Sequence, residues 1–441
     1  MSFPVLLLRG VFGLLVLTAI AYALSTNRKA INWRVVLIGI SLQVVFALAV
    51  LKTDVGRIVF QTIGSGFAGL LNFTYAGSQF IFGPLAIPTG VEGSIGFIFA
   101  TQVLPTIVFF ASLMAVLYYV GLVQPIVKGL ASAMAKTMKI SGAEALSVAA
   151  NVFVGQTEAP LVIRPYIERM TRSELMTLMA GGMATIAGGV LAAYVIFLGG
   201  DDPAQQVRFA AHLLSASIMS APAAVVMAKI LVPETGQPYT LGTVKIHVEK
   251  TDVNVLEAAA SGASEGLKLA LNVGAMLLAF LALLAVLNAF LGWLGAPVIA
   301  GTKLWDLNGL IRDASGGRFE SLSLQSVFGY AFSPLAWAMG VEAKDILHFG
   351  SLLGEKVAVN EFVAYTSLAK LEGVMSDRSV IIATYALCGF ANFSSIAIQI
   401  GGIGGLAPSR KSDIAALGIK AVIGGALASW MTASIAGILV G

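Results

Sequence analysis

The chain has 441 residues, of which 57% are hydrophobic and 11% charged, and carries a net charge of +4. A soluble domain holds about a quarter charged residues, so this composition excludes one and predicts an all-α polytopic membrane protein, with room for roughly ten spans of about 20 residues. The positive charge requires no nucleic acid, because Lys and Arg collect in cytoplasmic loops. The single cysteine, Cys388, excludes an internal disulfide, and His212, His247 and His348 are too scattered for a metal site.

The first apolar run, 3–24, is longer than the core of a signal peptide and has no small-residue cleavage site before Asn27, Arg28 and Lys29, so it reads as a span. Arg28, Lys29 and Arg34 separate it from a second span at 35–51, which predicts a cytoplasmic loop and an N-terminus outside. Residues 58–91 are apolar but interrupted by Gly, Ser and Pro, predicting an interfacial helix and loop. A third span at 96–122 returns the chain to Lys128, Lys136 and Lys139.

The stretch NVFVGQTEAP at 151–160 then places Asn151, Gln156, Thr157 and Glu158 beside Gly155 and Pro160. Polar groups in hydrocarbon are costly unless they are paired or face a water-filled site. The Gly and Pro interrupt a helix, as in the discontinuous helices that bind substrates and ions in transporters; the plainer alternative is a cytoplasmic loop. Arg164, Arg169 and Arg172 follow directly, so the segment returns to the side it left, and 141–168 is predicted to be a re-entrant hairpin with its tip at 155–158. A span at 174–198, broken by Gly181, Gly182, Gly188 and Gly189, leads to Asp201, Asp202 and Pro203. A span at 207–231, a polar connector at 233–252, a span at 267–294, a polar segment at 306–323 and a second interfacial helix at 324–339 follow.

The pattern then repeats. Glu158 is followed after 15 positions by Ser173 and after 27 to 32 by Thr185 to Val190; Glu361 is followed after 15 by Ser376 and after 29 to 34 by Phe390 to Ser395. A second hairpin at 346–370 entering from outside, a span at 380–406 running inward to Arg410 and Lys411, and a last span at 414–441 complete about eight transmembrane helices, with the C-terminus outside. The two hairpins are then oppositely oriented in inverted repeats, the usual architecture of a secondary transporter. The expected division is a scaffold part at 1–140, a transport unit at 141–232, a connector, span and interfacial helix of the scaffold at 233–345, and a second transport unit at 346–441.

Glu158 and Glu361 occupy the two tips. Paired carboxylates serve acid–base enzymes, but no nucleophile, metal set or phosphate-binding loop accompanies these two. A binding role needs less. Gln156, Thr157, Asn392, Ser394 and Ser395 add donors and acceptors suited to a neutral solute rich in hydroxyls and amides, whereas an anion would require arginine. Val190 and Phe390 offer apolar walls for a ring, although without Asn392 two residues on Phe390 would read as ordinary helix packing.

GQTEAP at 155–160, NEFVAY at 360–365 and GFANFSS at 389–395 together resemble the concentrative nucleoside transporter family, in order and spacing over about 95–441. The two-span N-terminal portion is similar to that of the shorter bacterial members. The resemblance implies that Gln156, Thr157 and Glu158 face the nucleobase, with Val190 and Phe390 packed near it, and that Glu361, Asn392 and Ser395 hold the ribose. It implies a sodium site made by the side chains of Asn151 and Thr185 and the carbonyls of Val154 and Ile186. It further implies a homotrimer in a bacterial inner membrane and an elevator motion. Uridine, cytidine or adenosine would be the substrates, with no cofactor beyond the coupling sodium ion. Proton-coupled relatives depart from GQTEAP and from the oxygen ligands. Since Asn151 and Thr185 are present, sodium symport is the expectation, proton coupling through Glu158 or Glu361 the alternative, and an intramembrane enzyme using the two glutamates a remote one. Gly189, often serine in relatives, leaves purine against pyrimidine preference open.

Overall fold

A computed structural model of the chain describes residues 3–89, 91–242, 252–299 and 302–440. Most of the end of the expected connector, with His247, and Gly441 at the end of the last span lie outside these residues.

The chain opens with two apolar helices, α1 (Phe3–Ala23) and α2 (Trp33–Lys52). Asn32 caps α2 by accepting from the Arg34 amide, satisfying one of the donors a helix start leaves free. The amphipathic α3 (Asp54–Phe82), capped by Thr53, covers most of the expected interfacial segment. The expected third span comprises α4 (Phe99–Gln102) and α5 (Leu104–Val120), with Pro105 at the start of α5, where its missing amide proton costs nothing. A further helix, α6 (Val123–Met138), occupies a stretch for which only a basic loop end was expected. Its apolar residues Val123, Val127, Ala131, Met134 and Met138 recur at three- and four-residue spacing and are buried, which is the signature of a one-faced helix.

The first repeat unit follows as a helix, a break and a helix, twice over. In the hairpin, α7 (Gly142–Asn151) leads through a turn to the short α8 (Ala159–Val162) and α9 (Arg164–Ile167). Next, α10 (Arg172–Ala184) and α11 (Gly188–Gly199) are separated by an extended stretch at 185–187. Reciprocal capping boxes, Ser141 with Glu144 and Thr171 with Glu174, start α7 and α10. The unit closes with the long α12 (Pro203–Leu231).

Helix α13 (Val255–Gly295) has 41 residues, longer than the span expected at 267–294, and at 1.5 Å per residue it is about twice the thickness of a hydrocarbon core. A two-stranded ribbon, β1 (Val298–Ile299) with β2 (Thr302–Lys303), and the helices α14 (Leu307–Ala314) and α15 (Leu324–Ala338) lead to the second unit. It repeats the order of the first: α16 (Ile346–Ala358), a break, α17 (Glu361–Lys370); α18 (Asp377–Leu387), a break, α19 (Phe393–Leu406); then the long α20 (Lys411–Leu439).

Among the described residues seven helical stretches are long and apolar enough to cross a membrane. The eighth expected span, 380–406, is the pair α18 and α19, and the break between them makes each too short to count alone. The most apolar windows of α10–α11, α12 and α20 are buried along 83 to 94% of their residues, against 22 to 33% for α1, α2, α4–α5 and α13. The broken helices, with α12 and α20, therefore form the centre, and α1, α2, α4–α5 and α13 sheathe them.

The sheath has two parts. Helix α13 lies along α5, and a stripe of small residues at every fourth position, Ala258, Gly262, Gly266 and Ala270, is its buried face. A Cβ at Gly262 or Gly266 would meet the backbone of Ser112 or Val108 at 2.9 or 2.8 Å, the close backbone approach that small residues permit between membrane helices. Helices α1 and α2 instead pack on α12 and α20, the long helices of the two units.

Candidate binding site

Four helices begin where the breaks meet. The α8 and α11 starts come from the first unit and the α17 and α19 starts from the second, so free backbone amide groups and the positive ends of four helix dipoles converge on one region.

Glu361 lies in the first turn of α17 and is buried. Its Oε1 accepts from the Tyr194 hydroxyl at 3.1 Å and its Oε2 from Asn392 Nδ2 at 2.9 Å. Asn392 also caps α19, its Oδ1 accepting from the Ser395 amide at 2.9 Å and from the Ser394 hydroxyl at 2.6 Å. The same side chain thus starts a helix and orients a carboxylate. Asn360 caps α17 through the Val363 amide at 2.9 Å, which sets the first-turn position of Glu361.

From the other unit, Gln156 Nε2 donates to Ser395 Oγ at 3.2 Å, and Gln156 Oε1 accepts from Gln399 Nε2 at 3.1 Å. Gln399 Nε2 donates also to the Met179 carbonyl at 2.9 Å. Gly182 permits this approach, since a Cβ there would lie 2.9 Å from Gln156 Cβ and 3.0 Å from Gln399 Nε2. Gly389, at the second break, has φ +143°, and a Cβ on it would meet the Met183 carbonyl at 2.7 Å. The break can pass this close to α10 only without a side chain.

Thr157 and Glu158 lie on the accessible side of the hairpin tip, where the Thr157 hydroxyl donates to Glu158 Oε1 at 3.0 Å and the carboxylate folds back over Gly155. Val190 is buried on α11 one turn before Tyr194, and Phe390 is half-buried two residues before Asn392. Gly189 faces α5, with the Ile107 carbonyl 3.6 Å from where a Cβ would stand.

The expected cation ligands form a second cluster. The Gly188 amide donates to the Phe153 carbonyl at 3.2 Å, tying the hairpin turn to the break between α10 and α11. Asn151, at the end of α7, is buried and its Nδ2 donates to the Ser147 carbonyl at 3.1 Å. Among the described residues its Oδ1 has no partner, and the Val154 and Ile186 carbonyls accept no backbone hydrogen bond. The Thr185 hydroxyl donates to the Gly181 carbonyl at 3.0 Å, leaving its lone pairs available. A buried amide oxygen without a donor is costly. This set is all oxygen and all acceptor, and so fits a hard cation such as sodium at unwound backbone.

The family model described as "Na+ dependent nucleoside transporter C-terminus" matches residues 212–437, that described as "Na+ dependent nucleoside transporter N-terminus" matches 12–85, and "Nucleoside recognition" matches 100–201. The chain belongs to the sodium-dependent nucleoside transporter family. It is 45% identical to an uncharacterized transporter of Haemophilus influenzae, with 98% of each chain covered. It is 41% identical to sodium/nucleoside cotransporter 1 of Rattus norvegicus, over 97% of this chain and 63% of that one. Its fold superposes on CNTnw in an inward-facing substrate-bound state with a TM-score of 0.86, at 43% identity and with 99% of each chain covered. An outward-facing variant of CNTnw gives a TM-score of 0.84 at 42% identity. A family of sodium-dependent nucleoside transporters with members seen open to either side works by alternating access, and it is not a family of enzymes.

Two polar residues of this transporter's site, Tyr194 and Gln399, are absent from the sequence reading. Each sits one helical turn after an expected residue, Tyr194 after Val190 on α11 and Gln399 after Ser395 on α19. Positions four apart share a helix face, and a polar group recurring at that interval in an apolar helix is the signal that finds them.

Proposed function

We propose that the chain is a sodium:nucleoside symporter that imports nucleosides by an elevator movement. The carrying observation is the adjacency of two complementary clusters: the unpartnered oxygens around Asn151 and the polar set joining Gln156, Ser395, Asn392 and Glu361. The hairpin turn at 152–158 belongs to both. A sodium ion drawing Asn151, Thr185 and the Val154 and Ile186 carbonyls together would hold that turn and so position Gln156, Thr157 and Glu158 for the base. Each ligand then raises the affinity for the other by the same factor.

The polar residues of the site hydrogen-bond one another, so an entering nucleoside must replace those bonds. Ribose hydroxyls can do so by donating to Glu361 and accepting from Asn392, with Ser395 in reach. Amide-like groups of a base are matched by Gln156, and Val190 and Phe390 supply apolar surface. No step of this exchange makes or breaks a covalent bond.

The packing supports a moving body made of both hairpins and their broken helices with α12, α20, α1 and α2, against a stationary pair made of α5 and α13. This is a narrower scaffold than residues 1–140 with 233–345, because α1 and α2 are packed on the transport units. The face of α13 opposite its small-residue stripe, including Leu267, Leu271, Leu278 and Val286, is exposed, and we assign it to lipid and to the contacts of a homotrimer. The basic residues between α1 and α2 and before α20 support both termini outside a cytoplasmic membrane, with the two hairpins re-entrant from opposite sides in inverted repeats.

The test is uptake of labelled uridine into proteoliposomes under an inward sodium gradient, with a sodium-free, acid-outside control. Accumulation that requires sodium supports the reading. Accumulation driven by the proton gradient alone would keep the nucleoside site and overturn the ion.

A further inference from the structure

One charged side chain at the centre of the molecule belongs to neither cluster. Lys356, in the last turn of α16, is fully buried. Its Nζ donates to the Ala386 carbonyl at 2.8 Å and to Ser429 Oγ at 2.6 Å. Ala386 is the penultimate residue of α18, directly before the break that ends in Asn392. The carbonyls at such a helix end have no intrahelical partner and carry the negative end of the helix dipole. Ser429 lies on α20, so the ammonium joins the first arm of the second hairpin, the broken helix and the long helix of the same unit. No carboxylate forms an ion pair with Lys356 among the described residues, yet Glu361, five positions on across the hairpin turn, is within electrostatic reach. The carboxylate expected to hold the ribose is thus linked to this cation through the break, since Lys356 holds the Ala386 carbonyl at one end of it and Asn392 holds Glu361 at the other.

The first unit has the corresponding place filled differently. Asn151 stands in the last turn of α7, the first arm of its hairpin, against Gly181 in the last turn of α10, where a Cβ would lie 3.6 Å from Asn151 Nδ2. There the hairpin arm brings an uncharged amide to the end of the broken helix, and its Oδ1 has no hydrogen-bond partner among the described residues. In the second unit the hairpin arm brings a cation of its own.

We propose that Lys356 is the built-in cation of the second unit, the covalently tethered counterpart of the exchangeable cation in the first. It holds the freed end of α18 against α16 and α20, and it balances Glu361 so that the carboxylate stays ionised and ready to accept ribose hydroxyls in a site shielded from water. The second hairpin therefore needs no ion from solution to assemble, and coupling rests on the first hairpin alone. Lys356 touches no substrate in this scheme and is a positioning residue. The inference rests on the reading that an external cation binds at Asn151.

The test is a double-mutant cycle of Lys356→Met and Glu361→Gln in the full-length purified transporter, read by thermal unfolding in sodium chloride and in choline chloride. The expected result is that Lys356→Met alone lowers Tm strongly and uptake of uridine by more than tenfold. Adding Glu361→Gln should then raise Tm back toward the parent, because neutralising the carboxylate removes the charge left without its balance. Recovery of folded protein in the double variant when Lys356→Met alone does not purify supports the proposal in the same way. Losses that simply add, or parental uptake in Lys356→Met, overturn it, since a packing or hydrogen-bonding role has no reason to be relieved by a change at Glu361. Sodium-dependent stabilisation should persist in both single variants. If it is missing from the parent protein, the reading of the Asn151 site fails while the cycle still decides the role of Lys356.

Discussion

Asn392 Nδ2 donates to Glu361 Oε2 at 2.9 Å, joining the second broken helix to the tip of the second hairpin. On the other side Tyr194 holds the second carboxylate oxygen at 3.1 Å. A Glu361→Gln change keeps one acceptor but turns an NH2 group toward a neighbour that also donates. An uncompensated buried group costs about 1–3 kcal/mol, so uridine uptake in proteoliposomes is expected to fall by about tenfold or more. Near-normal uptake would remove Glu361 from the ribose contacts.

Asn151→Ala removes a buried side-chain oxygen of the proposed cation cluster that lacks a partner among the described residues. The sodium concentration for half-maximal uptake is expected to rise about tenfold, with the maximal rate largely kept. Sodium activation that superposes on the parent curve would take Asn151 out of the ion site.

Gln399→Leu strips Gln156 Oε1 and the Met179 carbonyl of the same donor. At saturating sodium the KM for nucleoside is expected to rise by about tenfold, corresponding to about 1.4 kcal/mol, while stabilisation by sodium in thermal unfolding is kept. An unchanged KM would mean that Gln156 needs no orienting partner.

Gly389→Ala introduces a Cβ at φ +143° against the Met183 carbonyl. Backbone strain of this kind costs about 1–3 kcal/mol, so Tm in detergent is expected to drop by several degrees, with uptake falling alongside. A variant as stable as the parent would show that the break has room to move away from α10.

Lys229 and Glu144 form a buried ion pair at 2.5 Å where α12 meets the start of α7, and Lys229 also donates to Ser173 Oγ at 3.0 Å. Breaking a buried pair from one side costs about 3–5 kcal/mol, and Glu234, 3.4 Å from the same ammonium, should hold Glu144→Gln near the lower end. The expected outcome is a lower Tm with an unchanged KM for nucleoside, because Glu144 stands in the first turn of α7, at the end of the hairpin arm away from the tip. A raised KM at unchanged Tm would give the pair a part in transport instead.

The sequence by itself determined the class, a polytopic helical membrane protein, and the family. Hydrocarbon demands long apolar runs, basic residues mark the loops between them, and a cluster such as Gln156-Thr157-Glu158 flanked by Gly155 and Pro160 has few reasons to exist inside such a chain except to bind something. The structure adds that Asn392 and Asn360 stand at helix starts, where their side chains replace missing backbone partners. Tertiary structure decided what these residues meet. Tyr194 lies 167 positions from Glu361 and Gln399 243 from Gln156, and no local pattern encodes a pairing at that distance. It also decided that Glu158 turns to the accessible side while Gln156 is buried, and that residues 123–138 form a helix of their own. That α1 and α2 pack on α12 and α20 was beyond the sequence for a physical reason: lipid is as apolar as a protein interior, so hydropathy does not tell a face packed on another helix from one bathed in the bilayer. Only where small residues recur every fourth position, as on α13, does a membrane helix announce which of its faces another helix will cover.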